Sequence, residues 1–193
     1  MFDTIFAPLT IKGKCGLIVV RISGERVDEC LEKMGINRKK LKDRGAVLTK
    51  IFYRKKILDL GLVLYFKAPR SFTGEDVAEL NLHCSDYIVR KVYEMLLEID
   101  GVRLARNGEF SKRAFLNGKM DLVEAESIGD LVNSETELQH GQAIKQLFGK
   151  TSEFFESLRN DVLDIQAEVE VMIDFPEDNV GEDFTILEKK VKN

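Results

Sequence analysis

The spacing of apolar residues changes character near residue 118. Before it, short runs alternate with a period of two, separated by brief stretches of helical spacing; after it, the spacing is helical almost throughout. Residues 4–9 form a β-prone run, and a loop with two glycines follows at 12–16. Residues 17–22, Leu-Ile-Val-Val-Arg-Ile, predict a strand that is apolar on both faces and therefore central, interrupted by Arg21. Val27, Cys30, Leu31 and Met34 fall at i, i+3, i+4 and i+7, which predicts an amphipathic helix stopped by Gly35. Residues 36–44 read as a basic surface turn. Residues 46–53 and 57–66 read as a hairpin around Arg54-Lys55-Lys56, with Leu58, Leu60, Leu62, Leu64 and Phe66 predicted to form a buried face. After a loop at 68–76, punctuated by Pro69 and Gly74, a strand over 77–83 puts Ala78, Leu80 and Leu82 on one face. Val77, Glu79, Asn81 and His83 share the other, which either meets solvent or lines a site. Ser85 is placed to cap a helix whose apolar side is Ile88, Val92, Met95, Leu96 and Ile99, with Gly101 just past its end and a last short strand at 102–105. The order β-β-α-β-β-β-α-β is an α+β layout, with helices on a mixed sheet.

Residues 108–122 form a basic, Gly-punctuated stretch between two architectures, too polar to be plain core. Beyond it an all-α segment is predicted. Asp121 with Glu124, and Ser134 with Glu137, have the spacing of capping boxes, so two helices with a break near Asn133 are expected. In the second, long helix, Ile144, Phe148, Thr151, Phe155, Leu158, Val162, Ile165, Val169 and Met172 step 4-3-4-3, a seam that packs along another helix. One helix cannot bury such a seam, and the one further candidate is 184–191, after Pro176. The helical part is therefore expected to be a fragment of a larger domain, or to pair between subunits. Phe148-Gly149-Lys150-Thr151 ends like a phosphate-binding loop, but Ile144 stands where the motif needs Gly, and the stretch is expected to lie within a helix.

Charged residues make up 32% of the 193 and the hydrophobic set 44%, an ordinary globular balance. No run approaches the roughly eighteen apolar residues of a membrane span, and the N-terminus lacks a signal-peptide pattern, so a cytoplasmic protein is expected. The net charge of −4 argues against a chain that grips nucleic acid by itself, although Lys112, Arg113 and Lys119 could form a local patch. Three cysteines (Cys15, Cys30 and Cys84) without a CxxC pair, and two histidines, argue against a disulfide framework and a metal site.

Three charged residues sit where the apolar pattern does not want them: Arg21, Glu79 and Lys119. The plain alternative for each is a satisfied ion pair, Arg21 with Glu79 themselves included. The functional reading is a shared pocket for an anionic, amide-rich ligand. A carboxylate accepts two parallel hydrogen bonds from a guanidine-like ring edge, Arg21 offers the complementary fork, and Lys119 offers a mobile positive charge for a tail carboxylate, features that a pterin with a glutamate tail would satisfy. His83 and Cys84 are adjacent strand residues that point to opposite faces and so read as structural residues at a turn rather than a catalytic pair. Cys15, between Lys14 and Gly16, reads as an ordinary loop cysteine, with a low-pKa thiol as the alternative.

Pro69-Arg70-Ser71-Phe72-Thr73-Gly74-Glu75-Asp76-Val77-Ala78-Glu79-Leu80, then Gly108-Glu109-Phe110-Ser111-Lys112-Arg113-Ala114-Phe115-Leu116-Asn117-Gly118-Lys119-Met120-Asp121-Leu122, Ala125-Glu126, Asp130-Leu131 and Ile173-Asp174-Phe175-Pro176 resemble the MnmE (TrmE) family of tRNA modification GTPases, and Arg21-Ile22-Ser23-Gly24 fits as well. The resemblance runs over nearly the whole chain. It implies an N-terminal α+β domain at 1–118, similar to tetrahydrofolate-binding domains, that dimerises and binds a 5-formyl- or methylene-tetrahydrofolate one-carbon donor. It implies that 119–193 begin a helical domain into which a Ras-like GTPase domain, with its GTP, Mg and K, is inserted elsewhere. With the flavoprotein MnmG, the family modifies the wobble uridine of certain tRNAs at carbon 5. The family's folate-contacting Arg, Glu and Lys fall on Arg21, Glu79 and Lys119. No catalytic residue is expected in this chain, which stops where the GTPase domain would follow.

The chain departs from the family at two turns: residues 9–16 lack its two prolines and Arg, and His83-Cys84-Ser85-Asp86 replaces a His-Gly-Gly-Pro turn. One alternative is thus an interaction module that dimerises and has lost folate binding. A weaker one is a stand-alone aminomethyltransferase-like enzyme using Glu79, Asp76 or His83 as acid or base.

Overall fold

The computed structural model describes residues 3–10 and 15–174. They divide into two compact units, Met1–Met120 and Asp121–Asn193. The first contains β1 (Thr4–Pro8), β2 (Leu17–Ser23), α1 (Val27–Lys33), β3 (Gly45–Tyr53), β4 (Lys56–Phe66), β5 (Val77–His83), α2 (Asp86–Leu97), β6 (Val102–Leu104) and α3 (Glu109–Leu116). The strands form one mixed sheet in the order β3-β4-β5-β2-β1-β6, antiparallel except for the parallel pair β1–β6. This is the α+β layout that the spacing predicts. Within the basic turn, Arg38–Lys40 make a single 3-10 turn, with the Asn37 side chain accepting the Lys39 amide. The β3–β4 turn places Arg54 and Lys55 at φ 46° and 66°, left-handed values that a two-residue hairpin turn imposes on whatever residues occupy it.

The core lies on one face of the sheet. Ile18, Val20 and Ile22 of β2 and Ala78, Leu80 and Leu82 of β5 meet Val27 and Leu31 of α1 and Val92, Met95 and Leu96 of α2. Register then decides the fate of β4. Val63 faces Leu80 and Tyr65 faces Ala78, so Asp59, Gly61, Val63 and Tyr65 turn inward. Most of the alternating residues that the sequence assigns to a buried face lie on the other side instead: Leu60 and Leu62 are exposed and Leu64 and Phe66 are half-buried, while Leu58, next to the register shift at Ile51–Phe52, packs against the core. Alternation fixes which residues share a face, but the pairing with β5 decides which face meets the helices.

The 108–122 stretch holds an element that the apolar spacing does not announce. Gly108, at φ 71°, opens α3, and Gly118, at φ 64°, follows its end. Arg113 of this helix is not part of a surface patch; it is only 3% exposed. Its guanidinium donates to the Asp3 carbonyl at 2.6 Å, to the Asp3 carboxylate at 2.7 Å and to Glu75 at 3.1 Å, and pairs with Glu109 at 3.5 Å. Arg103 of β6 pairs with both Asp3 and Glu109. Glu75 also accepts the Ser23 hydroxyl at 2.6 Å, and Ser23 meets Thr73 at 2.7 Å. A buried guanidinium is tolerable only with such a full set of acceptors.

The second unit holds α4 (Leu122–Val132), α5 (Glu137–Leu147) and α6 (Lys150–Asp174). The Asp121–Glu124 capping box forms as predicted. The second box does not use Ser134 and Glu137. Thr136 caps α5 with Gln139 in the reciprocal role, while the Ser134 hydroxyl donates to the Leu131 carbonyl at the end of α4. Two overlapping Ser/Thr-x-x-Glu/Gln frames exist here, and Ser134 is claimed by the helix before it. The predicted long helix is broken at Phe148-Gly149, where Gly149 adopts φ 77°. Phe148-Gly149-Lys150-Thr151 thus sits at a helix–helix junction, not within a helix, and α5 rather than a strand precedes it. Along the seam Phe148, Phe155, Leu158, Val162 and Val169 are exposed. The candidate helix 184–191 lies outside the described residues. No helix among the described residues is long and apolar enough to cross a membrane.

The ion cluster makes a pH prediction. Arg103, chiefly by hydrogen bonding, brings Glu109 from its ordinary 4.5 down to about 2, and the same arginine lowers Asp3. The folded value of Glu109 lies below the unfolded one, so its stabilisation is fully present above about pH 4.5 and is lost as the pH falls toward about 2. Urea titrations across that window should show stability falling with acid, with a flatter profile in Glu109→Gln. Arg113→Ala should lower stability at neutral pH by about 3 kcal/mol or more, because it strands carboxylates around a buried site.

Candidate functional site

Antiparallel pairing sets Arg21 of β2 directly opposite Glu79 of β5, on the sheet face that α1 and α2 do not cover. Directly facing positions on neighbouring strands bring side chains within reach, and here the guanidinium closes on the carboxylate. Nε and Nη2 of Arg21 both donate to Glu79 Oε1, at 2.9 and 2.7 Å. The two side chains are only 16% and 18% exposed, so the pair is largely withdrawn from water. Two aromatic rings do much of the withdrawing. The Phe72 centroid lies 4.7 Å from Arg21 Cζ and the Phe110 centroid 5.4 Å. Rings at this distance attract a cation through their quadrupoles while excluding water. Leu64 of β4 faces Glu79 from the next strand.

Phe72 and Phe110 come from separate segments, the 68–76 loop and α3. The Arg113–Glu75 pair ties these segments together, as does the Asn117 amide, which donates to the Thr73 carbonyl at 2.7 Å. Gly74, at φ 79°, lets the loop turn beneath Lys119: a Cβ on Gly74 would lie 3.1 Å from Lys119 Cγ. Lys119 is held at its backbone by the Ala114 carbonyl and is exposed. The structure therefore brings Arg21 and Glu79 together as a bonded pair. It puts Lys119 against the loop two residues beyond the ring that covers Arg21.

Other titratable candidates have separate partners. Asp76 takes the Lys67 ammonium at 2.6 Å and the Ala68 amide at 2.8 Å. His83 Nδ1 lies 2.7 Å from buried Asp59, whose carboxylate also accepts the amides of His83 and Leu60. Asp59 is a partner that sequence reasoning missed, as it missed Phe72, Phe110 and the buried role of Arg113. The phenylalanines carried a weak signal, being aromatic residues in otherwise polar stretches. A cleft of about 360 Å³ on the helix side is lined in part by Ile18, Cys84, Val89, Tyr93 and Leu97. A second, of about 500 Å³, is lined in part by Gly24, Lys67, Gly74 and Asn117. Arg21, Glu79 and Lys119 line neither.

Fold and site together define an α+β domain with an aromatic-capped Arg–Glu pair on an open sheet face, followed by a helical unit. Residues 4–119 match the family described as GTP-binding protein TrmE N-terminus, and residues 122–193 match the MnmE helical domain. The chain belongs to the MnmE (TrmE) family. It is 45% identical over 177 residues to the tRNA modification GTPase MnmE of Wolbachia pipientis subsp. Culex pipiens (strain wPip), covering 91% of this chain and 39% of that protein. It is 44% identical over 180 residues to the protein of that name from Rickettsia rickettsii (strain Sheila Smith), covering 92% and 40%. The Rickettsia bellii (strain OSU 85-389) protein is 44% identical over 182 residues, covering 93% and 41%. The chain thus spans about two fifths of the length of the curated relatives it matches.

The pair should be energetically coupled. In a double-mutant cycle with Arg21→Ala and Glu79→Ala, urea unfolding should give a coupling of about 1–3 kcal/mol, because each single change leaves a half-buried charge without its partner. Additive single effects would show that the pair is not coupled in solution.

Proposed function

We propose that this chain is the folate-binding and dimerising portion of a tRNA modification GTPase, with Arg21, Glu79 and Lys119 contacting a 5-formyl- or methylene-tetrahydrofolate. The observation that carries this reading is the Arg21–Glu79 pair, desolvated beneath two aromatic rings. A pterin edge presents a two-donor face to a carboxylate, and both Arg21 donors use Glu79 Oε1, so Oε2 is the oxygen from which a ring edge would begin to engage Glu79. Phe72 and Phe110 offer flat apolar surface to a flat ring. Lys119, exposed on the adjoining loop contact, is placed for the tail carboxylates. By homology, this piece presents the one-carbon donor for modification of the wobble uridine at carbon 5, in the cytoplasm, with MnmG as the flavoprotein partner. GTP binding, with Mg and K, is assigned to the part of the relatives that this chain does not span. The domain boundary is placed at residues 118–119, ahead of the capping box at Asp121.

Dimerisation is supported by the open sheet face. Leu48 and Leu62 face each other across β3 and β4 and are both exposed, and Leu60 and Leu17 are exposed with them. Leucines grouped on one sheet face favour burial against a partner.

Calorimetric titration with 5-formyl-tetrahydrofolate tests the folate reading: wild type should bind, and Glu79→Ala should weaken binding at least tenfold. Equal affinities, or no binding by wild type, would overturn it. Sedimentation tests the interface: wild type should be a dimer, and Leu48→Asp with Leu62→Asp should shift it to monomer without loss of helicity. A dimer that binds no folate would instead favour the interaction-module reading.

A further inference from the structure

Where the β3–β4 hairpin meets α2, cations alternate with aromatic rings. The Tyr53 hydroxyl donates to Glu94 Oε2 at 3.2 Å, and the Lys91 ammonium donates to the same oxygen at 2.6 Å. That ammonium lies 5.1 Å from the Tyr53 ring centroid and 5.8 Å from the Tyr87 centroid. Arg54 Cζ lies 5.2 Å from the Tyr53 centroid, and Arg90 Cζ lies 5.9 Å from the Tyr87 centroid. Cations this close to a ring face are attracted by its quadrupole. The row therefore reads Arg54, Tyr53, Lys91, Tyr87, Arg90. Arg54, Tyr87 and Arg90 are exposed, and Lys55 and Lys56 follow at the hairpin tip, also exposed. Arg54 and Lys55 hold the left-handed turn positions, where Asn and Gly cost the backbone least. Neither is buried, so packing does not explain long cations there. Two carboxylates share the surface: Glu94, held by Lys91 and Tyr53, and Asp86, exposed in the first turn of α2. The same helix lines the cleft of about 360 Å³, to which Arg90 and Glu94 contribute beside Ile18, Val89, Tyr93 and Leu97.

We propose that this surface binds a single-stranded segment of RNA, with Arg54, Lys55, Lys56 and Arg90 on phosphates, Tyr87 stacked on a base, and the cleft beside Arg90 taking a neighbouring base. Cations supply the attraction to the backbone, and an exposed ring offers a stacking platform that any base can use. An acidic peptide would need the cations but has no use for rings set between them. A duplex keeps its base faces stacked inside, out of reach of Tyr87. The net charge of −4 argues against tight binding by the chain alone; the local excess of cations supports weak, salt-sensitive binding confined to this face. Arg21, Glu79 and Lys119 take no part in it, so the inference does not rest on the folate site.

Fluorescence anisotropy of the 193-residue chain with an end-labelled, mixed-sequence single-stranded RNA tests this, in a salt series starting from about 50 mM KCl. The expected result is saturable binding that weakens as salt rises. Lys55→Ala with Lys56→Ala should weaken it and flatten the logarithmic salt slope by about 0.7 for each cation removed. Tyr87→Ala should weaken it about fivefold or more with the slope unchanged, and Tyr87→Phe should restore it. These side chains are exposed, so the circular dichroism of the variants should match wild type. Glu79→Ala should bind the RNA as wild type does, which separates this result from that of the folate titration. The proposal is overturned if wild type shows no saturable binding at the lowest salt, if the variants bind as wild type does, or if a duplex of the same sequence binds equally well. Displacement of the RNA by polyglutamate at equal charge would also overturn it, and would assign the surface to an acidic protein.

Discussion

The first unit depends on one buried cation. Arg113 lies at the meeting point of the N-terminal Asp3, the 68–76 loop through Glu75, and its own helix through Glu109. A guanidinium taken out of water loses several kcal/mol of hydration, and only a complete ring of carboxylates and carbonyls makes up for it. Three segments distant in sequence must therefore converge for the arginine to be buried at all. Because the 68–76 loop and α3 are two of these segments, the same convergence delivers Phe72 and Phe110 to Arg21. The aromatic cover of the Arg21–Glu79 pair is thus a consequence of charge satisfaction elsewhere.

The two faces of the sheet are covered differently. Its inner face is closed by α1 and α2 and holds the core. On its outer face lie the Arg–Glu pair and the leucines of β3 and β4. Polar residues at these strand positions would suit a face meant for water. Leucines there, beside a desolvated ion pair, suit a face that is covered in the working protein.

The helical unit carries a similar open requirement. The capping boxes at Asp121 and Thr136 satisfy the helix N-termini locally, so the helices need no distant partner in order to begin. Their apolar seam is another matter. Phe155, Leu158 and Val162 run along α6 exposed, and helix stability comes mostly from packing such a face rather than from propensity. The left-handed Gly149 divides the predicted long helix in two and redirects the seam at Phe148.

By itself the sequence determined the α+β order, the bounds of the six strands and of α1 and α2 to within a few residues, the helix start at Asp121, and Arg21 and Glu79 as charges out of place. These follow from local periodicity, turn chemistry and capping, which act over a few residues. Tertiary structure decided the rest. It turned the β4 leucines outward, because register with β5 sets the face and alternation alone does not. It buried Arg113, because its acceptors lie 110 and 38 residues away in the chain. It chose Thr136 over Ser134 as the cap, because two overlapping frames satisfy the same local rule and the preceding helix claims one of the hydroxyls. Interactions whose partners are close in sequence leave a pattern that can be read there. Those whose partners meet only on folding leave at most an odd residue, and the fold supplies its reason.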